Sequence, residues 1–324
     1  MEIKKTMSQF IEGLKRHSLE DIRVCAKADL HNHFVLGGSR EYIKRYKNIE
    51  IMPLERPLSS MQEMNGWSDK YIGSRFDSSD MRKFLIEATF QQAKNDGVTV
   101  LEIGEDVWGL GEFFRNDIHE LINAFYEAKA RIAPDMELRL QIGLSRHCSI
   151  GYLEDCLSHF WGNSAFYSID LYGDEMAQPI ETFIPVYRRA KKEGLRLKAH
   201  VGEWGSAQDI QKAVELLELD EVQHGIAAAY DKGIMRFLTD NHIRLNITPT
   251  SNILLGRVEK LKEHPISLLY RNGVDVTINS DDVLMFDSDV SKEYLRLYES
   301  GCLSAEELDD IRENGLKSIE EIIT

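Results

Sequence analysis

Two histidines one residue apart, His31 and His33, carry the first chemical signal in this chain. On an extended strand, residues i and i+2 point to the same face, so both imidazoles can reach one ion. A third histidine, His200, and an aspartate, Asp281, lie far along the chain, each at the end of a strand candidate. Three imidazole nitrogens and one carboxylate oxygen make a donor set that suits Zn2+ and leaves a position for water. A lone histidine at a strand end is more often a hydrogen-bonded structural residue. That account is poor for a His-x-His pair joined by a distant His and a distant Asp. One zinc ion per chain is the expected cofactor. Other polar residues crowd the same strand ends: Glu203 three residues beyond His200, His224 in Gln223-His224-Gly225, and Asp282 beside Asp281.

Eight β-rich apolar runs deliver these residues, at 24–33, 98–104, 137–146, 165–173, 195–202, 221–225, 243–250 and 275–282. Amphipathic helical patterns separate them, among them 81–95, 117–132, 180–193 and 207–217. Gly97, Gly194 and Gly273 stand just before strand candidates, where a helix C-terminal glycine is expected. Alternating strand and helix patterns predict parallel βα units. Eight of them in 324 residues predict an α/β fold, a (β/α)8 TIM barrel, as a single domain over 1–324. A doubly wound open sheet is the rival, but no GxGxxG turn follows the first strand. In a barrel the active site lies at the C-terminal strand ends, which is where the polar residues fall. The stretch 34–80 is long for one βα connection and predicts a helical excursion that serves as lid or substrate wall.

Composition narrows the partners. A net charge of −15 repels a phosphate backbone, so no nucleic acid polymer is expected, and a small neutral or cationic molecule is accommodated more easily. No apolar run reaches the roughly 18 residues of a membrane span. The first twenty residues mix charges with no apolar core, unlike a secretory signal. Cys25, Cys148, Cys156 and Cys302 are scattered without a CxxC pair and read as reduced thiols of a cytoplasmic protein.

With these pieces in order, the chain resembles the adenosine deaminase family of metal-dependent hydrolases. The resemblance rests on DLHNH (29–33), DLYGDE (170–175), AHVGEWGS (199–206), QHG (223–225), TPTSN (248–252) and NSDDVLMF (279–286). HxH alone is common among amidohydrolases; the ordered set is specific. By that resemblance His31, His33, His200 and Asp281 hold the zinc. Glu203 protonates the purine ring nitrogen next to the amino-bearing carbon, and His224, with Asp281, orients and deprotonates the water. Asp282 meets the imidazole part of the purine and the backbone of Gly173 the pyrimidine part. The implied reaction converts a 6-aminopurine, adenosine or a related nucleoside, to the 6-oxo purine and ammonia. Zinc can bring the pKa of its water to about 7, and a carboxylic acid in a dry pocket can supply the ring proton. Strand four carries no lysine of the kind that bridges two metals in dinuclear relatives of this barrel, which argues for one ion. Lys198, two residues before His200, reads as structural.

Several positions depart from the family pattern. Members acting on adenosine follow HxH with a sugar-binding aspartate, whereas here Phe34, Val35 and Leu36 follow His33. A free base such as adenine or a modified purine therefore stays open beside adenosine. Strand two ends in Gly104-Glu105-Asp106-Val107-Trp108 where relatives often place an Arg-Tyr-Ser-Pro-like run, and Val283 replaces a common proline. Trp108 and Trp204 are candidates for the pocket wall. Arg40, Lys44 and Arg45 read as a solvated helix face before they read as a phosphate grip. Another hydrolase of the superfamily, acting on a pterin, guanine or cyclic amide, is the alternative; Glu203 and Asp282 weigh against it. A ligand-binding barrel without activity would be marked by a lost ligand or glutamate, and neither is lost.

Overall fold

The computed structural model describes residues 2–58 and 61–317. Eight strands pair in chain order into one parallel sheet: β1 (Lys27–Asp29), β2 (Val98–Asp106), β3 (Glu137–Ser145), β4 (Phe166–Tyr172), β5 (Arg196–Val201), β6 (Glu221–His224), β7 (Arg244–Ile247) and β8 (Val276–Ile278). The last strand returns to the first through the Asn32–Asp281 bridge, where the Asp281 N–H donates to the His31 carbonyl at 2.9 Å. Helices intervene between strands, so the fold is the (β/α)8 barrel the alternating pattern predicts. The seam of the barrel is thus sewn by two of the expected metal ligands.

Boundaries differ where polar chemistry interrupts the ladder. The first strand is expected to run to His33 but ends at Asp29, and only the Asn32 bridge continues it. The seventh is expected to run to Thr250 but ends at Ile247, because Pro249 starts the helix Pro249–Leu254. Proline suits the first turn of a helix, where its missing N–H has no partner to lose. The TPTSN motif therefore wraps a helix start and does not extend a strand. The helix Ala207–Leu217 matches its predicted span, fixed by a Ser206–Asp209 capping box.

Inside the barrel floor, Lys198 Nζ lies 2.8 Å from Glu102 Oε2 and 3.0 Å from Glu221 Oε2, all three fully buried. Asn246 donates to Glu221 at 2.7 Å and accepts from Thr277 at 2.7 Å. Lys198 is structural, as expected.

The excursion after β1 folds into the helices Arg40–Lys47 and Met61–Tyr71 and a 3-10 turn, Gly73–Phe76. It crosses the barrel mouth and is tied to the far side: the Leu54 N–H donates to Met285 O at 2.8 Å, and the Leu58 N–H to Leu254 O at 2.7 Å. Cys25, Cys148, Cys156 and Cys302 form no disulfide with one another. Among the described residues no helix is long and apolar enough to cross a membrane.

Candidate active site

At the mouth, four strand ends bring the sequence-predicted residues together. His33 Nε2 lies 3.5 Å and His31 Nε2 3.8 Å from the same oxygen of Asp281. The rings of His31 and His200 are 4.7 Å apart, and those of His33 and His200 5.2 Å. His31 Nδ1 sits 3.0 Å from the Asn246 carbonyl. A carbonyl only accepts, so Nδ1 carries the hydrogen and Nε2 presents a lone pair to the site. Burial pushes His31 down to about 3, so the ring is neutral, as a ligand must be.

The fit to a metal is visible in what these atoms lack. The Nε2 atoms of His31 and His200 are both buried without a hydrogen-bond partner among the described residues. Orphaned buried polar atoms are costly, and a cation converging on them removes the cost. His31, His33 and Asp281 form one group with metal-ligand spacing, and His31, His200 and His224 another. Behind them, Asp170 Oδ1 is 3.4 Å from His200 Nδ1. Burial would raise this carboxyl, but His200, with His31 and His33, holds it down to about 2.

Backbone strain marks the same place. His224 and Asp281 have φ of 62° and 61°, a left-handed conformation uncommon outside glycine. Such strain persists where surrounding structure over-determines it, often at functional sites.

His224 and Glu203 are set by the TPTSN turn, which sequence reasoning quoted but gave no role. His224 Nδ1 is 3.0 Å from Thr248 Oγ1, which also reaches Asp281 Oδ2 at 3.3 Å. Asn252 Nδ2 donates to Glu203 Oε1 at 2.7 Å. A residue outside every motif fixes that amide. The Ile266 N–H donates to His264 Nδ1 at 3.1 Å, so the opposite nitrogen of this buried ring carries the hydrogen and donates to Asn252 Oδ1 at 3.2 Å.

The loop bearing Glu203 has its own anchor. The carboxylate of Glu175, buried, accepts the N–H groups of Gly202, Glu203, Trp204 and Gly205 at 2.6 to 3.2 Å. DLYGDE contains Glu175, yet no spacing rule says that it clamps a loop 28 residues later.

Glu203 is no solvated helix-start carboxylate, since its side chain is 8 % exposed. Burial, reinforced by the Asp281 charge, pushes its pKa up to about 8, so it is a neutral acid at pH 7. Nor does Asp282 serve as a helix cap: its side chain caps nothing, and its buried Oδ1 has no partner among the described residues. Gly173, at φ 92°, has its backbone at the wall of the cavity, and a side chain there would be strained. His33, Gly173, His200, Glu203, His224, Asp281 and Asp282 all line one cavity of about 520 Å³, within the usual range for small-molecule sites. Trp108 and Trp204 line it too, as does the excursion through Phe34, Val35, Leu36 and Phe76. Arg40, Lys44 and Arg45 do not; Arg40 instead holds the carbonyls of Val283 and Leu284.

Fold and site together are those of a barrel hydrolase with a histidine-rich centre. The family described as adenosine deaminase matches residues 81–319. A protein of Treponema pallidum (strain Nichols), provisionally named an adenosine/adenine deaminase, is 32% identical over 287 residues, covering 89% of this chain and 96% of its own. An adenine deaminase of Rhodospirillum rubrum is 31% identical over 306 residues, 90% of each chain. A zinc-bound amidohydrolase from Burkholderia ambifaria shares the fold at a TM-score of 0.78 and 18% identity, over 93% of this chain and 87% of its own. The chain belongs to the adenosine deaminase family, hydrolases acting on carbon–nitrogen bonds.

Proposed function

We propose that the chain deaminates a 6-aminopurine without a phosphate, adenosine first, giving the 6-oxo purine and ammonia. One observation carries this reading: Glu203, Asp282 and the Gly173 backbone face the same cavity as the histidine cluster, so a ring donor, a ring-edge group and a hydrolytic centre meet around one planar molecule.

The proposed centre is one zinc ion held by His31, His33, His200 and Asp281, consistent with the zinc carried by the Burkholderia ambifaria protein. Such an ion supplies Lewis acidity and acidifies water. The chain's own groups do the rest. Glu203 hands its proton to the ring nitrogen beside the amino-bearing carbon as the carbon–oxygen bond forms there. His224, oriented by Thr248, holds the water and takes its proton. The carbon–nitrogen bond then breaks, ammonia leaves with the displaced proton, and the 6-oxo ring remains. Asp282 and Gly173 hold the ring in plane.

Charge separates nucleoside from nucleotide. Among the described lining residues Arg82 is the sole Lys or Arg, against the carboxyls of Asp77, Asp106, Glu203, Asp281 and Asp282. Arg82 is itself engaged with Glu105 and the rings of Trp108 and Phe113, so a phosphate monoester would find no free cation among those lining residues. A free base is the second reading, favoured by the apolar Val35 and Leu36 in the wall and by the adenine deaminase relative. We read the chain as one domain, and its scattered thiols and acidic surface as those of a cytoplasmic enzyme with no polymer partner. Ammonia release by the zinc-loaded protein with adenosine, adenine and AMP tests the proposal. Release from adenosine without AMP supports it, and silence with every purine sinks it.

A further inference from the structure

The end of β2 carries a carboxylate that the chemistry above does not use. Asp106 lines the cavity, as does Gly143 on the neighbouring strand, its partner in the β2–β3 register. A Cβ on Gly143 would come within 2.8 Å of Asp106 Oδ1, so only glycine leaves that oxygen its place. Trp108 hydrogen-bonds the same carboxylate. Beside it the guanidinium of Arg82 is wedged among aromatic rings, 4.3 Å over Phe113 and 5.3 Å over Trp108, with its Nε 3.5 Å from Glu105 Oε2. Arg82 itself is 4% exposed. This corner is built and held rigid.

Its chemistry follows from how the charges pair. Two carboxyls, Glu105 and Asp106, stand beside one guanidinium. Burial pushes Glu105 up to about 8, so it keeps its proton at pH 7 and the Arg82 charge is taken up by Asp106. This leaves the corner acceptor oxygens facing the cavity and no positive charge to offer. An ionised carboxylate only accepts hydrogen bonds, and a hydroxyl gives it a short, strong one. The ring-binding groups stand on the ends of β4, β5 and β8, whereas Asp106 stands on β2, past His33. A purine seated on Glu203 and Asp282 must send its substituent into the part of the cavity they leave open. The side chains of Val35 and Leu36, in the wall, can accept no hydrogen bond from it.

Resting on the deaminase reading, we propose that Asp106 receives a sugar hydroxyl of a nucleoside substrate and makes the enzyme prefer nucleosides over free bases. Arg82, Trp108 and Gly143 position it.

The test compares kcat/KM of wild type and Asp106→Ala on adenosine, its 2′-, 3′- and 5′-deoxy analogues, and adenine. Losing a hydrogen bond to a charged group should lower kcat/KM for adenosine by about 10- to 100-fold. Adenine should be unaffected. One deoxy analogue should be poor already with wild type and lose nothing more in the variant, identifying the hydroxyl. Asp106→Asn, equal in size, should show a smaller loss with the same selectivity, and zinc content should be unchanged in both. A loss equal for adenosine and adenine, or no loss at all, overturns the assignment of Asp106. Wild-type activity on adenine but on no nucleoside overturns it as well. Wild type inert on every purine overturns the deaminase reading itself, which keeps the two failures apart.

Discussion

The barrel holds two buried polar clusters on one axis, and they are built on opposite plans. At the floor, Lys198 stands between Glu102 and Glu221, each charge within 3.0 Å of an opposite one, with Asn246 and Thr277 completing the network. At the mouth, His31 and His200 end in nitrogens with no partner among the described residues, and His224 and Asp281 sit on strained backbone. Burial depth alone does not separate the clusters. What separates them is that opposite charges meet at the floor within 3.0 Å, whereas at the mouth the Nε2 atoms of His31 and His200 have no donor or cation facing them among the described residues. The floor ties the strands together, and the mouth leaves open nitrogens where the proposed ion would be held.

Mutations within the two clusters should therefore divide, activity failing at the histidine cluster and stability at the floor, with the Glu175 clamp between them touching both. The largest effect is expected from His31→Ala, which should lose metal and cut activity by more than about 10³-fold. Full zinc occupancy in an elemental assay would remove His31 from the ligand set. Glu203→Gln should keep metal and melting temperature while kcat falls by ~10²–10⁴-fold; near-native turnover would end its role as acid. At the floor, Lys198→Met strands two carboxylates and should cost about 3–5 kcal/mol in urea unfolding. Molecules that stay folded should turn over normally, so a kcat defect at unchanged stability would blur the division.

The pH profile sharpens the same contrast. Because Glu203 is pushed up to about 8, its acid form prevails below that pH, and kcat should fall as pH rises through it. A profile flat to well above pH 8 would contradict that. The smallest effect is expected from Glu175→Gln, whose amide matches the four N–H groups of the 202–205 loop less well than a carboxylate does. It should cost about 1–3 kcal/mol of stability, with a modest loss of kcat and unchanged metal content.

Much of the mouth was legible in the order of residues. HxH carries its geometry in the two-residue period of a strand, and the alternation of strand and helix patterns implies a barrel whose strand ends meet. Those rules are local, or follow from topology, and so survive without coordinates. The boundaries that moved, at His33 and at Thr250, moved because the closing bridge and Pro249 outweigh strand propensity. The positioning groups stayed hidden for a different reason. Glu175, Asn252 and His264 act through distances between segments remote in the chain, and no residue period encodes such a distance.

By itself, then, the sequence determined which side chains can bind an ion and which carboxylic acid can stand beside it, since residue type and strand period suffice for that. Only the tertiary structure decided that Glu203 is buried enough to keep its proton, that an asparagine fixed by a buried histidine aims it, and that Asp106 looks into the cavity from β2. Desolvation and hydrogen-bond geometry belong to the packed molecule, because they depend on what surrounds a group on every side.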